Sequence, residues 1–227
     1  MWSYACHPNI YPSKSSVSAD FPGAVRACVR AAMRADVPVL FFQGFGGDLR
    51  PAVYGRTRNL RERCLRFINR GSFGQLTLQE CRGWGESLGR EVVATMARAA
   101  AKPLGQLEVR EASVPLSQLI AGCASDRVIA LRRLTLAPDV HLFFVSAEVV
   151  CEYALWLRSE VGAGIICAVG CAAGVFGYLP TQQMIAEGGY ESAGFFRSFG
   201  LCGSFNGDGV ETAFKQAIRS ILPTRCG

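Results

Sequence analysis

Strand-like and helix-like segments alternate along this chain, and that interleaving restricts the fold to the α/β class. Residues 37–42 and 165–169 are continuous apolar runs, the pattern of a strand covered on both faces. Residues 2–6, 107–116, 127–136 and 141–145 read as further strands. Between them, residues 24–35, 147–158 and 209–222 carry the helical period, residues 182–187 suit a helical turn, and residues 191–199 suit a second. Residues 78–101 read as a long helix whose first half is weakened by Gly83, Gly85 and Gly89. Residues 8–23 read as a loop closed by Asp20-Phe21-Pro22-Gly23. The strands of residues 107–136 can pair locally as antiparallel neighbours, so the expected architecture is mixed β-sheets layered with α-helices. With no internal repeat and no linker-like tract, one domain over residues 1–227 is expected.

A chain of 227 residues with 50% hydrophobic and 19% charged residues has enough material for a sizeable core and little for long disorder. The net charge of +6 is scattered, except where Arg56, Arg58, Arg61, Arg63, Arg66 and Arg70 crowd together. That stretch reads as a solvated helix face or loop, or as a patch for an acidic substrate or headgroup. No base-stacking aromatics accompany it, so no nucleic-acid partner is expected. The ten cysteines fall mostly in helix-like and strand-like runs with no Cys-x-x-Cys pair, the distribution of free thiols in a reducing compartment. With no basic-then-apolar leader and no apolar run of about 20 residues, a cytoplasmic location without a transmembrane segment is expected, unless an upstream segment changes it. Nothing in the sequence sets an oligomeric state.

Chemistry-bearing residues gather at the ends of expected strands, where α/β proteins assemble sites from distant segments. His7, in Cys6-His7-Pro8, ends the first strand and reads either as a satisfied structural histidine or as a metal ligand. His141 opens the strand that leads to Glu148 and reads as structural. Glu148 follows Ser146-Ala147 and reads either as an ordinary first-turn helix acid behind a Ser146 N-cap or as a ligand. Tyr178 and Tyr190 lie 12 residues apart in a glycine-flanked segment, as pocket lining or as phenols for a metal or an oxyanion. A His, a Glu and a Tyr together suit a hard or borderline metal such as zinc. The loop Gln43-Gly44-Phe45-Gly46-Gly47-Asp48-Leu49-Arg50-Pro51 fails the dinucleotide spacing and reads as a tight turn beside a substrate, with Asp48 as a supporting carboxylate.

In this order these segments resemble the neutral/alkaline non-lysosomal ceramidases and their bacterial relatives, which hydrolyse the amide of N-acyl lipids with a zinc ion. The resemblance implies metal-ligand roles for His7, Glu148 and Tyr178, the last in a Tyr-x-x-Thr motif ending at Thr181. It implies a catalytic role for Tyr190 in a Tyr-Glu pair, and substrate contact from Gly47, Asp48 and Arg50. The implied function is zinc-dependent hydrolysis of a linear amide in a small-molecule N-acyl substrate, within lipid or sphingolipid metabolism. Two departures are visible. Arg50 stands where the family has a serine, which favours a carboxylate or phosphate on the substrate. The family's other metal-ligand histidine lies in an upstream His-x-His segment that this sequence does not contain. Residues 1–227 are therefore expected to be the C-terminal part of a ceramidase-like catalytic domain. The alternative is an inactive remnant or binding module.

Overall fold

The computed structural model describes residues 1–13, 15–51 and 76–223, and the arginine cluster of residues 56–70 lies outside them. The chain divides into two compact units. One collects Met1–Trp2, His7–Phe41 and Arg50–Ala101, and the other collects Ser3–Cys6, Phe42–Leu49 and Lys102–Gly227. Strands β1 (Trp2–Tyr4) and β2 (Phe41–Gln43) pair as a two-stranded sheet and carry the chain from one unit into the other.

The first unit is built on helices α1 (Asp20–Met33) and α2 (Leu78–Arg98). Helix α1 starts earlier than the sequence pattern suggests. Pro22 and Gly23 sit in its first turn, where a missing proline N–H costs nothing, and the Asp20 carboxylate accepts the N–H groups of Phe21 and Tyr11 at 2.7 and 2.8 Å. The expected strand over residues 37–42 shrinks to β2, because Pro38 has no N–H for a ladder and Leu40 is exposed. Helix α2 opens with a reciprocal capping box between Thr77 and Glu80. Its glycines are packing devices rather than weak points. A Cβ on Gly85 would stand 2.7 Å from the Ala24 Cβ, and one on Gly89 would stand 2.6 Å from the Cys28 Sγ, so both let α2 lie close on α1. Phe21 anchors the small core, with edge contacts to Trp2, Phe41 and Trp84.

The second unit carries a mixed four-stranded sheet in the order β3-β5-β6-β8, from β3 (Glu108–Pro115), β5 (Val128–Ala137), β6 (Val140–Val145) and β8 (Ile165–Val169). The first two pairings are antiparallel and the β6–β8 pairing is parallel. The α/β, mixed-sheet architecture is therefore as the sequence pattern implies. Strand β8 is an edge strand with Ile165 exposed, not one covered on both faces. Between β3 and β5 come the short helix α3 (Leu116–Leu119) and β4 (Ile120–Ala121), which pairs with β10 (Ser204–Phe205). Helices α4 (Cys151–Val161) and α6 (Gly207–Ser220) supply much of the core. Helix α6 buries Val210, Phe214 and Ile218, a four-residue repeat in which each side chain contributes about 1.5–3 kcal/mol. Tyr153 of α4 packs edge-on against Phe214, and its hydroxyl donates to the Pro180 carbonyl at 3.0 Å.

Helix α4 begins at Cys151, not at residue 147. Glu148–Val149 forms the strand β7, and the Ser146 hydroxyl accepts the Ala130 N–H at 2.8 Å instead of capping a helix. Strand β7 pairs in parallel with β9 (Tyr178–Leu179), which leads into helix α5 (Gln182–Glu187) capped by Thr181. A π turn (Tyr190–Gly194) and a 3-10 turn (Phe196–Phe199) follow. The eight cysteines among the described residues are all free. No helix among those residues is long and apolar enough to cross a membrane.

Candidate active site

The short β7–β9 pairing brings two of the candidate residues together in the second unit. Its register sets Glu148 directly beside Tyr178 and Val149 beside Leu179. Side chains on neighbouring parallel strands at one register position project to the same face, so the carboxylate and the phenol meet. The Tyr178 hydroxyl donates a hydrogen bond to Glu148. Burial first, and then this bond and the Glu148 charge, hold the phenol's pKa far above its ordinary value, so Tyr178 is protonated.

Two backbone hydrogen bonds and two aromatic rings fasten the pair. The Glu148 N–H donates to the Gly177 carbonyl at 2.9 Å, and the Val150 N–H donates to the Leu179 carbonyl at 3.4 Å. Tyr190, half exposed, meets Tyr178 edge-on with ring centroids 5.6 Å apart, and the buried Phe195 ring lies 5.4 Å from Tyr178 on a tilted contact. Gly177, at φ +142°, faces Phe195 so closely that any added Cβ would force the ring or the strand to move. Tyr178 is thus gripped by Glu148, Tyr190 and Phe195 together.

The Gly47–Asp48 turn approaches the same pair. A Cβ on Gly47 would stand 2.7 Å from the Glu148 carbonyl oxygen and 3.3 Å from the Tyr178 ring, so the absent side chain is what admits the backbone there. The Gly47 N–H is already used, donating to the Val149 carbonyl at 2.9 Å. Asp48 does not face the pair as a free base. Its Oδ1 accepts the Cys151 N–H at 2.7 Å and its Oδ2 accepts the Cys151 thiol at 3.1 Å.

Of the residues singled out from sequence, Gly47, Asp48, Glu148, Tyr178 and Tyr190 belong to this second unit. His7 belongs to the first, half-buried, with its carbonyl accepting the Asn9 N–H at 2.9 Å, and Arg50 also belongs to the first, exposed. His141 is structural as read: it is buried, with its Nδ1 3.1 Å from the Thr135 hydroxyl. Sequence reasoning passed over Cys151, Cys171 and Phe195. Cys171 takes φ +54° and its N–H donates to the Ala147 carbonyl at 2.9 Å, beside Glu148. Although Cys171 reaches the surface, partial desolvation of its thiol and then the Glu148 charge raise it to about 11. No local pattern marks these three, because each acts through contacts tens of residues away. Among the described residues no three His, Cys, Asp or Glu side chains gather in a group that would hold a metal ion.

A scan of the sequence against protein-family models finds no match, and a search of curated protein sequences finds none. Solved structures do match in fold. The crystal structure of neutral ceramidase from Pseudomonas aeruginosa superposes with a TM-score of 0.69 at 15% identity, over 99% of this chain and 45% of that one. A structure described as ceramidase complexed with C2 gives 0.68 at 14% identity, over 99% and 46%. The chain has a ceramidase-like fold and spans under half the length of the ceramidase chains it matches.

Proposed function

We propose that this chain is a zinc-dependent hydrolase of a linear amide in an N-acyl lipid or related N-acyl compound. The observation that carries the proposal is the Glu148–Tyr178 pair with Tyr190 against it, in a chain whose whole length superposes on ceramidase. A carboxylate and a phenol side by side suit two positions in a zinc shell but fall one short of the three protein ligands that open zinc sites have. His7 is the proposed nitrogen donor, on the family resemblance. A bound zinc ion would supply Lewis acidity and a hydroxide at neutral pH.

The chain's own groups then divide the remaining work. To serve as a zinc ligand Tyr178 would have to give up the proton it donates to Glu148, so metal binding at the pair would release one proton. Tyr190, half exposed, can reach a bound substrate and donate its hydroxyl to a developing oxyanion. The Gly47 N–H cannot share that role, because Val149 already holds it. Gly47 gives the substrate a flat wall, and Asp48 holds the turn in place. Arg50, where the resemblance leads one to expect serine, would select a carboxylate or phosphate on the substrate, with Arg50→Ser moving preference toward neutral amides.

A second reading is a binding module that keeps the fold without hydrolysis. It is favoured by the bond between Tyr178 and Glu148, which occupies the phenol's proton without a metal, and by Arg50. Metal analysis of the purified 227-residue chain, with turnover of neutral and acidic N-acyl compounds, separates the two. Stoichiometric zinc and hydrolysis lost in Glu148→Gln support the enzyme. Neither zinc nor turnover in a folded sample leaves the binding module.

A further inference from the structure

We propose that Cys151 is a positioning residue of the candidate site, whose two bonds to Asp48 hold the turn at residues 46–49 against the Glu148–Tyr178 pair. The two donors come from one residue at the first position of α4. The N–H reaches Oδ1 at 2.7 Å and the thiol reaches Oδ2 at 3.1 Å, so both carboxylate oxygens are engaged. Asp48 thereby acts as the missing cap of α4, whose own preceding residue, Val150, makes no side-chain cap bond. The bridge spans 103 residues of sequence.

Its position gives it leverage on the site. Asp48 adjoins Gly47, whose backbone lies against the Glu148 carbonyl and the Tyr178 ring. Cys151 is three residues beyond Glu148 and opens the helix that follows β7. The turn is also tied by the Gly47 N–H to the Val149 carbonyl and the Leu49 N–H to the Gly46 carbonyl, each at 2.9 Å. Releasing Asp48 would remove both bonds between the turn and the start of α4, and the wall beside Tyr178 would loosen. The thiol suits the task because it stays protonated. Burial, then the Asp48 bond and charge, raise it to about 11, so at neutral pH it is a donor and not a competing anion.

The consequence for zinc rests on the proposed hydrolase reading, but the Cys151–Asp48 latch does not, and the test keeps them apart. Cys151→Ala, Cys151→Ser and Asp48→Asn are made in the 227-residue chain. Hydrogen exchange of the Gly47 and Leu49 amides is expected to be about tenfold faster or more in Cys151→Ala and near wild type in Cys151→Ser, whose hydroxyl restores the donor. Alkylation of Cys151 by iodoacetamide, read by peptide mass spectrometry across pH, is expected to shift to lower pH in Asp48→Asn. Zinc alone, titrated against a chelator, is expected to bind Cys151→Ala about tenfold more weakly. Unchanged exchange in Cys151→Ala, or an unchanged alkylation profile in Asp48→Asn, overturns the latch, and the second measurement decides should Cys151→Ala not fold. A broken latch with undiminished zinc affinity overturns its positioning role. A wild-type chain that binds no zinc sinks the hydrolase reading, and the exchange data still decide the latch.

Discussion

Gly177→Ala is the substitution that most directly tests how the site is held. An added Cβ would stand 2.2 Å from Phe195 Cε2 and 2.7 Å from Cδ2, and the ring belongs to a fully buried side chain with Tyr178, Phe196, Phe199 and Phe205 around it. The ring is hemmed in, so an added Cβ must displace either it or β9 at a cost. Overpacking of this kind costs about 1–3 kcal/mol. The backbone at φ +142° adds about 1–3 kcal/mol of strain for any residue with a Cβ. Together these take about 2–6 kcal/mol from a stability that is typically about 5–15 kcal/mol. Gly188→Ala is the matched control: at φ +79° it has the strain, but nothing lies within 4 Å of its Cβ. Urea unfolding should therefore show Gly177→Ala below Gly188→Ala by about 1–3 kcal/mol, a midpoint difference on the order of 1 M. Phe195→Leu should recover part of that loss in the double variant, with a coupling of about 1 kcal/mol or more. Equal stabilities for the two glycine variants, within about 0.5 kcal/mol, would refute the reasoning that the Phe195 ring closes the space beside Gly177.

Helix α2 offers a paired test, since a Cβ on Gly83 would meet nothing while one on Gly85 would meet Ala24. Gly83→Ala should raise Tm, worth about 0.5–1 kcal/mol, whereas Gly85→Ala should lower it by the overpacking cost less that gain. His141 has its pKa lowered by burial and then by Arg133, so its folded value lies below its unfolded one. Its neutral form therefore supports the fold above about pH 6.5, and that support is lost as pH falls through the folded value. The urea midpoint should drop between pH 7.5 and 5.5 in the wild type and less in His141→Asn. For the proposed hydrolysis, Tyr190→Phe should cut kcat on the best N-acyl compound about 10²–10³-fold with little change in KM, measured at saturating substrate. A change confined to KM would assign Tyr190 to binding alone.

Much of this protein was legible in residue order. The strands at residues 107–116, 127–136 and 141–145, the helix at residues 182–187 and the amphipathic α6 follow from local periodicity, because solvent and core impose twofold and 3.6-residue repeats directly on the sequence. The glycine turn at Gly47 and the tyrosine segment were likewise visible as places where the backbone bends. Tertiary structure decided the rest. Gly85 and Gly89 look like helix defects until α1 lies against them, since the sequence holds their propensity cost but not the neighbour that repays it. Glu148 has the local pattern of a helix start, yet a parallel partner in β9 draws it into a strand, because β-pairing depends on a segment 30 residues away. The Asp48–Cys151 bridge joins residues 103 apart, and no periodicity encodes such a pair. Local chemistry is written along the chain, while the meeting of a carboxylate with a phenol or a thiol is a property of chain return, which only the folded packing determines.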